Sequence, residues 1–426
     1  MSEATHFSAG IDVETVERIA EERDEPKWLR ATRLDALEAL SDLDYPDVIQ
    51  TPGRTWTNLA DLDFEDLVAP FDQTEEKDWV VAEEATVVPF HEALNDDDLE
   101  ALVKEHFGSV VDPQENRLTA LSTALFTTGT VVYVPSQVDA EDVKIRTTMN
   151  GRSLFNYTLV VTEQNASVTI LERQDTGHEA RSASNRASGE TASSEDAPES
   201  EERYYSGIVE VAAGENSYVQ YGSLQDFDQT TYNYTLKRGV TDTYATVNWI
   251  EGNLGSRLTK TEVSTLLEGD SSESKIVGAF FGHDDQHFDL DSKVWHRAEH
   301  TTADLVTRGV IDDVSRSVYE GVQDVGADAW DTNSYQRENT LMLSDESEAD
   351  ASPKLIINNH DTEASHSATV GQIDQEDLFY MEGRAVPPET AENMLVEGFF
   401  VPVLEEVEVA ELREDLEERI HERLRD

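Results

Sequence analysis

The chain has 426 residues, 38% of them hydrophobic, and carries 32 basic against 90 acidic side chains, a formal net charge of −58. That length and apolar content suffice for a packed core divided into two or three structural units. The charge excludes nucleic acid and anionic membrane as partners, because like charges repel and no run of Lys or Arg supplies a local basic patch.

The acids are interspersed with apolar positions, and 6 Trp, 13 Tyr and 14 Phe are present. This is the pattern of a folded protein with an acidic coat, not of a disordered acidic segment. Self-repulsion of such a coat is screened at molar salt, where the Debye length is ~3 Å, so a salt-loving cell is the expected source. With no cysteine, disulfides, thiolate catalysis and a cluster held by the chain's own thiolates are excluded. Residues 1–24 are acidic and polar, without a signal peptide's apolar core, and no run of ~18 apolar residues occurs. A cytoplasmic location is expected.

In chain order, the first elements are helical. Val13, Val16, Ile19 and Ala20, then Trp28, Leu29, Leu34, Leu37 and Leu40, recur at three- and four-residue spacings over 11–43, with Pro26 opening a second helix. Residues 44–75 read as irregular around Pro46, Pro52 and Gly53, and a further helix is expected over Asp96–His106.

From about Leu118 the pattern turns to strand. β-Branched and aromatic runs occur at Thr130–Val134, Tyr157–Thr162, Val168–Leu171, Gly207–Val211, Tyr218–Tyr221, Tyr232–Leu236 and Tyr244–Ile250. They continue at Leu258–Leu267, Lys275–Phe281, Leu305–Ile311, Ser317–Val322 and Glu338–Leu343. Such a series means an all-β core, and periodicity leaves sandwich, barrel and solenoid open, since no fixed-length repeat is visible. Residues 174–202, rich in Ser, Ala, Glu, Asp and Gly, read as a flexible insertion.

After Gly371 helical spacing returns, over Asp374–Glu382, Pro388–Leu404 and Val409–Leu424. In the last of these Leu412, Leu416, Ile420 and Leu424 form a stripe that either packs on its own chain or docks on a partner. The division is thus 1–117 helical, 118–371 β core and 372–426 helical.

Histidine is the one plausible soft ligand. His283, Asp284, Asp285, His287, Asp289 and Asp291 could gather a divalent ion, but adjacent Asp residues are the background of this chain and a solvated loop is the expectation. His296 and His300 share a face on a helix or a strand; on a strand they stand some 13 Å apart by the ~3.3 Å rise, too far for one metal. No glycine-rich phosphate loop, nucleophile elbow or dinucleotide fingerprint occurs.

The stretch Ser352-Pro353-Lys354-Leu355-Ile356-Ile357-Asn358-Asn359-His360-Asp361, continuing through Ser365-His366-Ser367-Ala368-Thr369-Val370-Gly371, resembles the signature of the SufB/SufD family of iron–sulfur cluster assembly proteins. Leu378-Phe379-Tyr380 with Arg384 and Gly398-Phe399-Phe400 continue the likeness. Trp295-His296, Arg308-Gly309, Val318-Tyr319-Glu320-Gly321 and Gln336–Ser344 match it upstream, as do Glu25–Leu29 and Arg33–Leu37 near the start.

The resemblance implies a right-handed parallel β-helix core flanked by N-terminal and C-terminal helical regions. It implies a non-catalytic scaffold subunit that pairs with a SufB-like paralogue and is engaged by a SufC-like ABC-type ATPase through the C-terminal helical domain. An iron–sulfur cluster would be bound transiently and shared with the partner, with His366 as the candidate ligand at the subunit interface. Where the SufB pattern has a cysteine this chain has Ile357, and where SufB has a glutamate after the motif histidine it has Ser367, so the likeness is to the SufD branch. Ala364, Ser367 and Ala385 depart from the SufD pattern. Two alternatives stand: a β-helical polysaccharide-active enzyme, and a homodimeric interaction protein without a metal role.

Overall fold

A computed structural model describes residues 11–51, 54–72, 75–80, 84–177, 202–407 and 409–425. Helix α1 (Val13–Glu22) begins where the Asp12 carboxylate accepts the Thr15 N–H at 2.8 Å, and α2 (Lys27–Ala39) follows Pro26 as expected. Arg33 of α2 is fully buried, paired with Glu25 at 2.6 Å and seated over the Phe126 ring. The described residues of 44–72 hold short pieces: the two-residue strands Gln50–Thr51 and Arg54–Thr55, one 3-10 turn and α3 (Phe64–Leu67). Then come α4 (Phe90–Ala93), the expected α5 (Asp97–His106), whose N-terminus is capped by Asp96, and α6 (Arg117–Leu125).

Helix α6 was not expected: residues from Leu118 onward read as the onset of the β region. Leu118 through Leu125 are all buried, and a helix covered on every side has no polar face to reveal its period.

The strands alternate along the chain between two nine-stranded sheets, giving a parallel β-helix of about eight coils. Sheet 1 runs from Glu75–Val80 and Asp139–Met149 to Thr332–Met342 and Thr362–Gln372; sheet 2 runs from Thr86–Pro89 and Thr128–Val134 to Arg316–Val325 and Glu348–Ile357. Coil length drifts: Tyr218 stands in register with Thr246, Thr246 with Glu273, and Glu273 with Thr302. That drift is why no constant period is legible.

Asp139–Met149, absent from the sequence expectation, is broken by a register shift between Ala140 and Val143 and by several charged side chains. Gln174–Thr176 belong to strand Ser167–Thr176, and 178–201 of the expected insertion lie outside the described residues.

Between sheet 2 and sheet 1 seven successive coils turn on one left-handed residue: Gln137, Asn165, Asn216, Tyr244, Ser271, His300 and Asp331. These residues form a ladder along one corner, in which the Asn216 N–H donates to the Thr243 carbonyl and the His300 N–H to the Trp330 carbonyl. Tyr244 is therefore a turn residue and not the strand start its aromatic ring suggested.

Each sheet's outer face is covered by one end of the chain. On sheet 2, the buried Glu210 carboxylate accepts the N–H groups of Gly108, Val110 and Val111 at 2.7–2.9 Å. Nearby, Arg238 binds Glu115 and Glu262. On sheet 1 lie α8 (Pro388–Glu405) and α9 (Ala410–Arg423), while α7 (Gln375–Glu382) packs on α8 and buries none of its residues. Of the two readings of the leucine stripe, the structure has the first: Leu412, Leu416 and Ile420 are buried against Leu171, Leu224 and Ile250 of the solenoid. Lys144–Glu411 and Lys275–Glu406, each at 2.5 Å, flank that seam. No described helix is long and apolar enough to cross a membrane.

Candidate functional site at the open end of the solenoid

The two ends of the β-helix differ. At the first end, the outermost strands Glu75–Val80 and Thr86–Pro89 pair antiparallel to Asp139–Met149 and Thr128–Val134, and each has that one partner among the described residues. At the other end, Glu348–Ile357 and Thr362–Gln372 are each paired on one side only among the described residues. Unpaired strand edges are templates for adding further strands.

His366 lies on that last strand of sheet 1, in register with Gln336. Register partners in a parallel pair point to the same face. On Thr332–Met342 the buried alternation Ser334, Gln336, Glu338, Thr340 marks the interior face, while Tyr335 and Arg337 point out. His366 is thus on the inward side of the final coil, and it is exposed because no further coil covers it. Ile357, in register with the buried Val325, is on the inward side of the facing strand and is 43% exposed. Between them the turn is fixed to the preceding coil, with Asn359 Nδ2 donating to the Ala327 carbonyl at 2.9 Å.

The four histidines of the two sequence clusters have structural partners. The 283–291 group does not form the solvated loop expected of it. His283 and Asp284 sit at a corner, joined at 2.9 Å, while His287, Asp289 and Asp291 lie on strand His287–His296 facing the N-terminal region. Asp289 and Asp291 pair with the buried Lys260 at 2.7 and 3.0 Å, and His287 Nε2 meets Thr57 Oγ1 at 3.0 Å. Burial works against the Lys260 charge, but Asp291 and Asp289 outweigh it and hold the ammonium well above its ordinary value. His296 is buried between Thr301 and Gln323 and is pushed down to about 4 by that burial, whereas His300 is an exposed corner residue bound to Asp331 at 2.8 Å. No group of three or more His, Cys, Asp or Glu side chains able to hold a metal occurs among the described residues.

The interior itself carries charge that the sequence reading missed. Lys237 of sheet 2 reaches across to Glu251 of sheet 1 at 2.8 Å and to Ser223 at 2.6 Å, all three buried. The available signal was a lysine in mid-strand in a chain where lysine is scarce.

Residues 145–399 match the family described as SUF system FeS cluster assembly, SufBD core domain. The chain belongs to the SufB/SufD family. It is 28% identical to the iron–sulfur cluster assembly protein SufD of Bacillus subtilis, over 95% of this chain and 96% of that one. It is 25% identical to SufB of the same organism, over 93% and 90%. A SufBD family protein of Staphylococcus saprophyticus stands at the same distance, 25% over 93% and 90%. The match spans the β-helix from Ile145, the last coil with His366, and α7 with most of α8. The chain is therefore an iron–sulfur cluster assembly protein of the SufB/SufD family.

Proposed function

We propose that this chain is the SufD-like, non-catalytic scaffold subunit of a cytoplasmic cluster assembly complex. It pairs with a SufB-like subunit through the open end of its β-helix. The observation that carries this reading is the pair of one-sided terminal strands with His366 and Ile357 on their inward side. A partner's strands can continue both sheets there, and doing so encloses His366 at the junction. The cluster is cargo: a chain without cysteine offers an imidazole at most, so thiolates must come from the partner.

A SufC-like ATPase engages the C-terminal helices. Because the α9 stripe is already buried, the docking face falls on α7 and α8, where Phe379 is 77% exposed, Tyr380 58% and Met394 50%. Contiguous exposed apolar side chains of this size mark association surfaces.

The test is co-purification of the tagged chain at molar salt with a cysteine-bearing paralogue and an ABC-type ATPase, then cluster assembly with His366→Ala in the reconstituted complex. Recovery of the chain alone, folded and in full yield, overturns the heteromeric reading and favours the homodimer. Undiminished assembly with His366→Ala removes the ligand role but leaves the scaffold role standing.

A further inference from the structure

The interior of the β-helix repeats in columns. In sheet 1, Glu251, Gly278, Thr307 and Glu338 stand in successive register; in sheet 2, Lys237, Val263, Ser292 and Gly321 do the same. Glu251 and Glu338 therefore hold one position in different coils, as do Lys237 and Gly321. The Lys237 ammonium neutralises Glu251. In the coil of Glu338 the matching position is glycine, and no counter-charge faces the carboxylate among the described residues.

Glu338 is fully buried. Its Oε1 accepts from Thr340 Oγ1 at 2.5 Å, while its Oε2 has no hydrogen-bond partner among the described residues. Beside it, Gln336 is 1% exposed with neither amide atom partnered, and the buried Ser334 Oγ is likewise unpartnered. Ser334, Gln336 and Glu338 stand on the inward face of one strand at two-residue spacing. A Cβ at Gly321 would overlap the Gln336 amide, so that amide occupies the space beside Gly321. Gln323 Nε2 donates to the Tyr335 carbonyl at 2.8 Å, which fixes how the two strands face each other. The strands of a coil run in opposite directions across the interior, so Glu338 faces the stretch from Tyr319 to Gly321. Consistently, the Tyr319 hydroxyl is raised by burial, with the Glu338 charge adding.

We propose that these buried, unpartnered oxygens bind a dehydrated monovalent metal cation of the potassium class, which serves as the counter-charge that Lys237 supplies three coils away. A buried carboxylate needs a partner of opposite sign or a proton. The donors offered are hard oxygens: one carboxylate, an amide carbonyl and hydroxyls. One carboxylate balances one positive charge, whereas a divalent ion would stay half neutralised and magnesium retains its water. Among monovalent ions the larger one is the easier to dehydrate. Gln336 is the register neighbour of His366, so the bound ion lies one strand from the open end and sets the charge beneath it.

The test is a crystal of the full chain grown with rubidium chloride in place of potassium chloride. An anomalous peak within coordinating distance of Glu338 Oε2 and Gln336 Oε1, lost in Glu338→Gln, is the expected result. Water alone at that place, or rubidium on surface carboxylates only, overturns the proposal, and so does a peak unchanged in Glu338→Gln. The map of the natural chain decides even if the variant fails to fold. In solution, thermal unfolding above pH 7 in potassium chloride against choline chloride at equal concentration should show a potassium-specific rise in Tm that Glu338→Gln lacks. An equal rise in both proteins means general screening of the acidic coat and counts against the site.

Discussion

Leu412 of α9 occupies the space that a side chain on Gly222 of sheet 1 would fill: a methyl group there would fall inside contact distance of Leu412 Cδ2. At Gly252, one strand further along the same sheet, an added methyl group would meet Leu224 Cδ1 at 2.8 Å and Leu416 Cδ1 at 3.3 Å. The two glycines open a groove, and the leucine ridge lies in it. Gly222→Val should therefore weaken docking of α9 by about 1–3 kcal/mol while leaving the coils paired. Hydrogen exchange should quicken over 410–423 and not over Tyr218–Asp226. Equal protection of α9 in variant and natural chain would show that the groove is not what seats it.

The Lys237–Glu251 pair inside the solenoid gives a second expectation. Removing one partner of a buried pair leaves an uncompensated charge and costs about 3–5 kcal/mol, whereas replacing both by apolar groups of similar volume is close to neutral. Lys237→Met should accordingly lower the urea midpoint strongly, and Lys237→Met with Glu251→Leu should recover most of it. A double variant as unstable as the single one would mean that the pair contributes specific attraction beyond mutual neutralisation.

These interior charges also mark the limit of what the residues alone disclose. Strand runs such as Leu258–Leu267 were read to the residue, because an apolar or β-branched run bounded by turns has a local signature. The choice of solenoid over sandwich came from resemblance, since register between coils is a long-range property and coil length drifts. Helix α6 was hidden by its complete burial. His366 could be singled out by resemblance, but its place on the inward side of an uncapped coil needed the pairing with Gln336. The counterpart positions of Lys237 and Gly321 are far apart in sequence and meet only in the columns.

Acid should destabilise the chain through its buried histidines. His296 is held at about 4 by burial, against ~6.5 in an unfolded chain. Between those values the unfolded state binds the proton and the folded state does not, so stability is full above pH 6.5 and falls as pH drops towards 4, by about 3 kcal/mol for this residue. His287, also pushed down to about 4 by burial, acts in the same direction. Urea unfolding of His296→Asn at pH 7.5 and pH 5 should show a smaller loss on acidification than the natural chain. An identical loss would place the acid sensitivity elsewhere.

Glu338 has the opposite sign. Burial raises it to about 7, above an unfolded glutamate at ~4.3, so without a bound cation stability declines as pH rises from there through 7 and then levels off. Glu338→Gln in choline chloride should remove that decline. A decline of the same size in the variant would assign it to other carboxylates.

The open end supplies the last prediction. Val370 on the last strand of sheet 1 is 39% exposed and stands in register with Thr340, on the inward side with His366. A substitution at so exposed a site changes the stability of the isolated chain by within about 0.5 kcal/mol. If a SufB-like subunit continues the sheets across this edge, the same position becomes buried, and Val370→Lys places an unpaired charge in the junction. Affinity for the partner should then fall about ten- to a hundredfold, equivalent to 1.4–2.8 kcal/mol. His366→Ala, which removes a ligand without adding charge, should leave that affinity nearly unchanged and lower cluster assembly instead. Measured by titration calorimetry at molar salt beside a reconstitution assay, the two variants separate pairing from cargo handling. Unaltered partner affinity in Val370→Lys would place the pairing surface away from the open end.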